Sequence, residues 1–259
     1  MGQTLLLTLL LIGFGGAVYA TSERSHATRT VDKTIPLAIG GSLRVENENG
    51  GIDVRSWNKP EIKLFARIRT GGRDDQEAEE LLQEVDIKIE SSGKHVDIYT
   101  DAPRRVFQGK RSVTVSYELT VPEKIDLDLR TVNGRVDVDG IAGEVRVTTT
   151  NGGVDVRRVD GAIQAATTNG GIHAELLTFN GRADLEFRTT NGAITVTMPK
   201  DVKGTLDAET TNGAIDIDFP VTVQGRLSKR SIRGELNGGG PVTIMLHTTN
   251  GSIRVRETF

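Results

Sequence analysis

The 259-residue sequence contains no cysteine. That excludes disulfides, cysteine-ligated metals and a lipid-modified cysteine. Neither charge sign dominates, since 32 Lys and Arg stand against 35 Asp and Glu for a formal net charge of −3. No basic block marks a nucleic-acid partner, and no polybasic helix marks a lipid surface. Histidines are few: His26, His95, His173 and His247. None belongs to a nucleophile motif or a zinc motif. The residues therefore assign no catalytic, cofactor-binding or metal-binding position, and no ligand-binding residue can be named.

Long apolar runs are also scarce. Residues 5–12 form one, broken by Thr8, and residues 13–20 continue it with small apolar side chains to Val18-Tyr19-Ala20. This stretch is short and glycine-rich for a membrane span. It reads as a secretory signal over residues 1–20, cleaved before Thr21, although Met1-Gly2-Gln3-Thr4 carries no Lys or Arg. The expectation is export to the periplasm, cell surface or medium, with no membrane insertion after cleavage; a retained anchor is the alternative. Residues 21–34 are polar and read as a flexible lead-in.

What the sequence has in abundance is one phrase. Thr149-Thr150-Asn151-Gly152-Gly153-Val154-Asp155-Val156 recurs from Thr167, Thr189, Thr210 and Thr248. Looser copies are Thr131-Val132-Asn133-Gly134 and Asn49-Gly50-Gly51-Ile52-Asp53-Val54. From Asn133 to Asn250 the spacing is 17–22 residues if Arg233-Gly234 stands in for one Asn-Gly. Such a period means one supersecondary unit copied and stacked. Weaker half-copies lie between, as in Asp160-Gly161-Ala162-Ile163, Asn180-Gly181 and Gln224-Gly225. Each unit then holds two short strands and two turns.

Apolar residues follow each glycine at period two: Val136 and Val138, Val154 and Val156, Ile194 and Val196, Ile215 and Ile217, Ile253 and Val255. This is the pattern of a half-buried strand, and β-branched side chains suit it. Asn-Gly suits tight turns of positive φ. Hairpins would give no reason for the same asparagine at every second turn. A coil rising about 4.8 Å per turn does, because identical side chains then stack as ladders. The fold class is all-β, a β-solenoid of 17–22-residue coils. Its domain covers residues 35–259, with an irregular part at 35–130 and regular repeats at 131–259. One inserted or capping helix is expected near residues 74–85, where Asp74 can cap and Ala78, Leu81, Leu82 and Val85 share a face.

Each column has two readings. The asparagines Asn133, Asn151, Asn169, Asn191, Asn212 and Asn250 either face a glycan or bond one another along the stack. The Thr-Thr pairs invite an ice- or glycan-binding reading, but neighbours in a strand point to opposite faces. The outward positions are Asp137, Asp155, His173, Thr195, Asp216 and Arg254. Asp137 and Asp155 could share calcium or form an ordinary solvated face.

The phrases from Leu43 to Val54, Val121-Pro122, Thr131-Val132-Asn133-Gly134 and the Thr-Thr-Asn-Gly array together resemble a bacterial family of candidate adhesins, a β-solenoid domain of unknown function. The resemblance runs from about Ile35 to Phe259. It implies an envelope or secreted protein and brings no catalytic residues with it. The function expected is a non-enzymatic adhesin or scaffold, without cofactor, that binds polymeric envelope or surface material such as polysaccharide. A polysaccharide-acting enzyme and a sensory domain in envelope-stress signalling are the alternatives.

Overall fold

The computed structural model describes residues 25–103, 111–179, 183–223 and 228–258. The expected export signal and the half-copies at Asn180-Gly181 and Gln224-Gly225 lie outside them. The chain forms β1 (Ser25–Pro36), β2 (Gly41–Glu46), β3 (Ile52–Trp57), β4 (Glu61–Gly72), α1 (Asp75–Glu84), β5 (Asp86–Ser92), β6 (His95–Asp101) and β7 (Ser112–Pro122). There follow β8 (Ile125–Arg130), β9 (Val136–Asp139), β10 (Val145–Thr148), β11 (Val154–Asp160), β12 (Ile163–Asn169), β13 (Ile172–Thr178), β14 (Leu185–Asn191) and β15 (Ile194–Met198). The last are β16 (Gly204–Asn212), β17 (Ile215–Ile217), β18 (Val221–Val223), β19 (Ser231–Leu236), β20 (Thr243–Asn250) and β21 (Ile253–Glu257).

These strands make two facing sheets. One runs β1-β4-β7-β3-β9-β11-β13-β15-β21-β17, and the other β18-β19-β16-β20-β14-β12-β10-β8-β2-β6-β5. We call them the first and second sheets. Each coil takes one strand from the second sheet, turns at Asn-Gly, and lays the next strand in the first. Within the stack, neighbouring coils pair in parallel, as β11 does with β9 and β13. The period-two pattern explains the sandwich. Val154 and Val156 point into it, at 2% and 0% exposure, and stack on Ile172 and Ala174 of the next coil. The β-solenoid expected from the repeat is what the chain builds.

The repeated phrase resolves into four separate tasks. The first threonine points inward. Thr131, Thr149, Thr167, Thr189, Thr248 and Thr210 are buried, and each hydroxyl donates to a glycine carbonyl of the adjacent coil at 2.8–3.1 Å. The second threonine faces solvent. The asparagine bonds its equivalent in the next coil: Asn133 donates to Asn49 at 2.6 Å, Asn151 to Asn133 at 2.7 Å, and Asn169 to Asn151 at 2.8 Å. Asn191, Asn250 and Asn212 continue at 2.8 Å. All six amides point one way, so each bond polarises the next.

The glycine has a different role from the one expected. Gly152, Gly170, Gly192 and Gly213 do not take positive φ angles. They are needed because the coils touch there. A Cβ on Gly170 would lie 2.0 Å from the Gly152 carbonyl oxygen, and one on Gly192 would lie 1.9 Å from that of Gly170. Close approach of backbones, rather than turn geometry, fixes the residue.

Three further expectations are corrected. Coils do not stack in chain order. β20 lies between β14 and β16, and β21 between β15 and β17, so the last coil in sequence is the sixth in space. Arg233-Gly234 is no column member; it lies in β19, an antiparallel partner of β16. Asn49 supplies the seventh rung instead. Residues 25–34 are not a flexible lead-in. They belong to β1, which pairs antiparallel with β4 along its whole length. An edge strand buries little, here Ala27 and Ile35 with Val31 half-covered, so its composition reads as loop.

The two ends differ from the coils. At one end β1, β4 and β7 close the first sheet while β5 and β6 close the second. α1 packs there against β4 and β1. Asp74 caps it by accepting from the Glu77 N–H at 2.8 Å. At the other end β19 and β18 close the second sheet antiparallel, and β17 is the edge of the first. β17 and β18 are three residues each, and so short an edge limits strand addition.

Candidate functional site

The strand register brings the expected outward residues into one column on the outer face of the first sheet. Its order in space is Asp53, Asp137, Asp155, His173, Thr195, Arg254, Asp216. Asp137 and Asp155 sit one coil apart, as the spacing implied. A guanidinium joins them: Arg135 donates to Asp137 at 2.8 Å and to Asp155 at 2.8 Å. Arg157 also binds the Asp155 carboxylate.

Asp155 departs from the solvated face expected of it. It is buried, at 8% exposure. Burial pushes its carboxyl pKa up, but the hydrogen bond and charge of Arg157, with His173 and Arg135, outweigh this and leave it below the ordinary value. It therefore stays ionised and already paired. A carboxylate in this state is a poor general acid.

Beside this column lies an open trough of about 710 Å³. β3 and β9 contribute Asp53, Arg55 and Asp137; β7 contributes Glu118 and Thr120; β4 contributes Lys63 and Phe65; β1 contributes Asp32. It sits where the long antiparallel strands meet the coil stack. Arg55 pairs with Asp53 at 3.1 Å. Among the described residues, Asp32, Lys63 and Glu118 form no ion pair, so both signs remain available to a ligand. Sequence reading missed this trough because β1 was not recognised as a strand.

A second groove, about 320 Å³, runs along the exposed threonines of the last coils. Thr190, Thr249 and Thr211 lie beside Arg188, His247 and Glu209, which adjoin one another in register. The exposed threonine row is continuous in space: Thr150, Thr168, Thr190, Thr249, Thr211.

The fold also assembles a group that no motif announced. The Ser42 hydroxyl and His95 Nδ1 lie 2.7 Å apart, and His95 Nε2 is 3.1 Å from Asp97. Ser42 and His95 are partners on β2 and β6, and Asp97 follows on the same face. The residue order Ser–His–Asp is that of a nucleophile triad, with the two ring nitrogens exchanged: in the triad Nε2 faces the serine and Nδ1 the carboxylate. Its surroundings differ: it lies on an open sheet face, and the Ser42 N–H is committed to the Lys94 carbonyl at 2.8 Å. Among the described residues around it, no backbone N–H converges as an oxyanion hole requires.

No functionally curated protein matches the chain in sequence. Solved structures similar to it include a candidate cell adhesion protein from Clostridium sporogenes, at 13% identity and a TM-score of 0.48, covering 91% of this chain and 100% of that one. A candidate adhesin from Bacteroides fragilis follows at 9% identity and a TM-score of 0.40, covering 89% and 97%. The family model described as Toastrack DUF4097 matches residues 34–256, nearly the whole of the two-sheet stack and its caps, and the chain belongs to that family.

Proposed function

We propose that this protein is an exported, non-enzymatic β-solenoid that binds or scaffolds polymeric material of the cell envelope or surface. The observation that carries the reading is the repetition of equivalent outward positions along the stack. The asparagine ladder spans six intervals, roughly 29 Å at about 4.8 Å per coil. A polymer lying along such a face meets many weak, similar contacts, and affinity comes from their number. The trough is open and carries charged side chains of both signs, unlike the enclosed, mostly apolar pockets that hold small substrates.

The test is incubation of the purified protein with a panel of envelope and extracellular polysaccharides, with and without calcium. Binding should change little on Thr195→Ala and should be lost when several residues of one outward column are replaced. Reproducible product formation, abolished by a single Asp137→Asn, Asp155→Asn or Ser42→Ala change, would overturn the reading. The Ser42–His95–Asp97 contact is the observation that keeps an enzyme as the second reading. Export is tested by N-terminal sequencing of the protein from its native host: residues 1–20 should be missing, and Met1 retained in a cytoplasmic fraction would refute it.

A further inference from the structure

The ladder contains seven Asn-Gly pairs. In this dipeptide the backbone nitrogen of glycine can attack the preceding side-chain carboxamide, since no side chain blocks its approach. Asparagine is accordingly thermolabile. Attack needs the glycine N–H free and the carboxamide able to turn. At five of the seven pairs both are held. The N–H groups of Gly50, Gly152, Gly170, Gly192 and Gly251 donate to asparagine carbonyls of the next coil at 2.8–3.1 Å. Each of those asparagine side chains is also a rung of the ladder.

The end rung is different. Asn212 donates to Asn250, but among the described residues nothing donates to its own carboxamide oxygen. Nor does the Gly213 N–H donate to any carbonyl among the described residues, because no coil follows. Independently, Gly213 is exposed, whereas the six other ladder glycines are half-covered. We propose that Asn212-Gly213 is a self-modification site, the one ladder position at which the folded protein deamidates. The Gly213 nitrogen forms a bond to Asn212 Cγ and loses its proton. The bond from Cγ to Nδ2 breaks, and Nδ2 leaves with that proton as ammonia. Water then opens the five-membered imide at either carbonyl, giving aspartate or isoaspartate at position 212.

Gly134 ranks between the two cases. Its N–H also donates to no backbone carbonyl among the described residues, but it is half-covered, and a Cβ on Gly152 would lie 2.0 Å from its carbonyl oxygen. Asn133 is a rung on both sides, donating to Asn49 and accepting from Asn151. Modification at 212 would place a carboxylate against the Asn250 carboxamide oxygen, acceptor facing acceptor. The isoaspartate form would also lengthen the main chain between β16 and β17. Either change loosens the stack at its open end.

The experiment is peptide mapping by mass spectrometry of the full chain, aged at mildly alkaline pH, folded and in denaturant. In the folded protein Asn212 should convert at least about tenfold faster than Asn151, Asn169 or Asn191, because those sites must first open locally. In denaturant the four should convert at similar rates. Asn212→Gln should remove conversion in that peptide and leave the interior sites unchanged. Equal rates at Asn212 and Asn169 in the folded protein would overturn the proposal.

Discussion

At the scale of single residues, the repeated phrase converts into unequal energetic roles. A Cβ on Gly170 meets a backbone oxygen that cannot move without shifting a coil. Gly170→Ala should therefore cost about 3 kcal/mol or more, by overpacking, read as a lowered urea midpoint. The threonine pair gives a controlled comparison. Thr167→Val removes the hydrogen bond to the Gly152 carbonyl and should cost about 1 kcal/mol. Thr168→Val, on the exposed face, should lie within about 0.5 kcal/mol of wild type. Equal losses in the two variants would contradict the inward placement of the first threonine. The neighbouring strand offers a second comparison. Val154→Asp buries an unpaired carboxylate and should be severely destabilising in a denaturant melt. Asp155→Ser should cost about 1 kcal/mol, because it strips Arg135 and Arg157 of their shared partner, yet both guanidiniums keep solvent.

At the scale of elements, the cap around α1 is where charge matters. Glu77 is buried and accepts from Arg73 Nε at 2.9 Å, the Arg73 N–H at 2.7 Å and Arg111 Nε at 2.9 Å. Those bonds, that to the Arg73 side chain first, lower its pKa to about 2. A free glutamate titrates near 4.3, so the folded state binds its proton less tightly than the unfolded chain. The stabilisation is thus present above about pH 4.3 and lost as pH falls through about 2. Glu77→Gln should be less stable than wild type at pH 7, and the difference should shrink as pH falls from about 4 to about 2. Urea melts across that range check it; a difference unchanged by pH would mean that the Glu77 charge has no role. The helix itself was legible beforehand. Asp74 caps it, and the spacing of Ala78, Leu81 and Leu82 buries one face. β1 was not, because an edge strand under partial cover shows no alternation to read.

At the scale of the whole molecule, stacking order makes an unusual prediction. A linear array should tolerate loss of its last coil in sequence. Here β20 and β21 lie between the fifth coil and the coil of β16 and β17. Deleting residues 243–259 should therefore unfold β16 and β17, since both lose their parallel partner along their length. Hydrogen exchange of the truncated chain should show fast exchange across β16 and β17. Persistent protection in β16 of the truncated chain would sink this account of the stack.

The sequence by itself determined the coil. Period-two apolar residues fix which side chains enter the core, and the recurring Asn-Gly fixes where each coil turns. It also showed that neighbouring coils stack in register, since identical asparagines pair only along a ladder. Three things were left to tertiary structure. The order of coils depends on which free edge the returning chain finds, and every copy carries nearly the same pairing surface, so local sequence cannot rank the edges. The need for glycine came from a backbone 2.0 Å from a would-be Cβ, a contact between residues 18 apart that no turn rule contains. The trough came from the antiparallel strands β1, β4 and β7 meeting the coil stack, and the burial of Asp155 from Arg157 on its own strand and Arg135 on the neighbouring coil gathering around a position that alternation alone turns toward water.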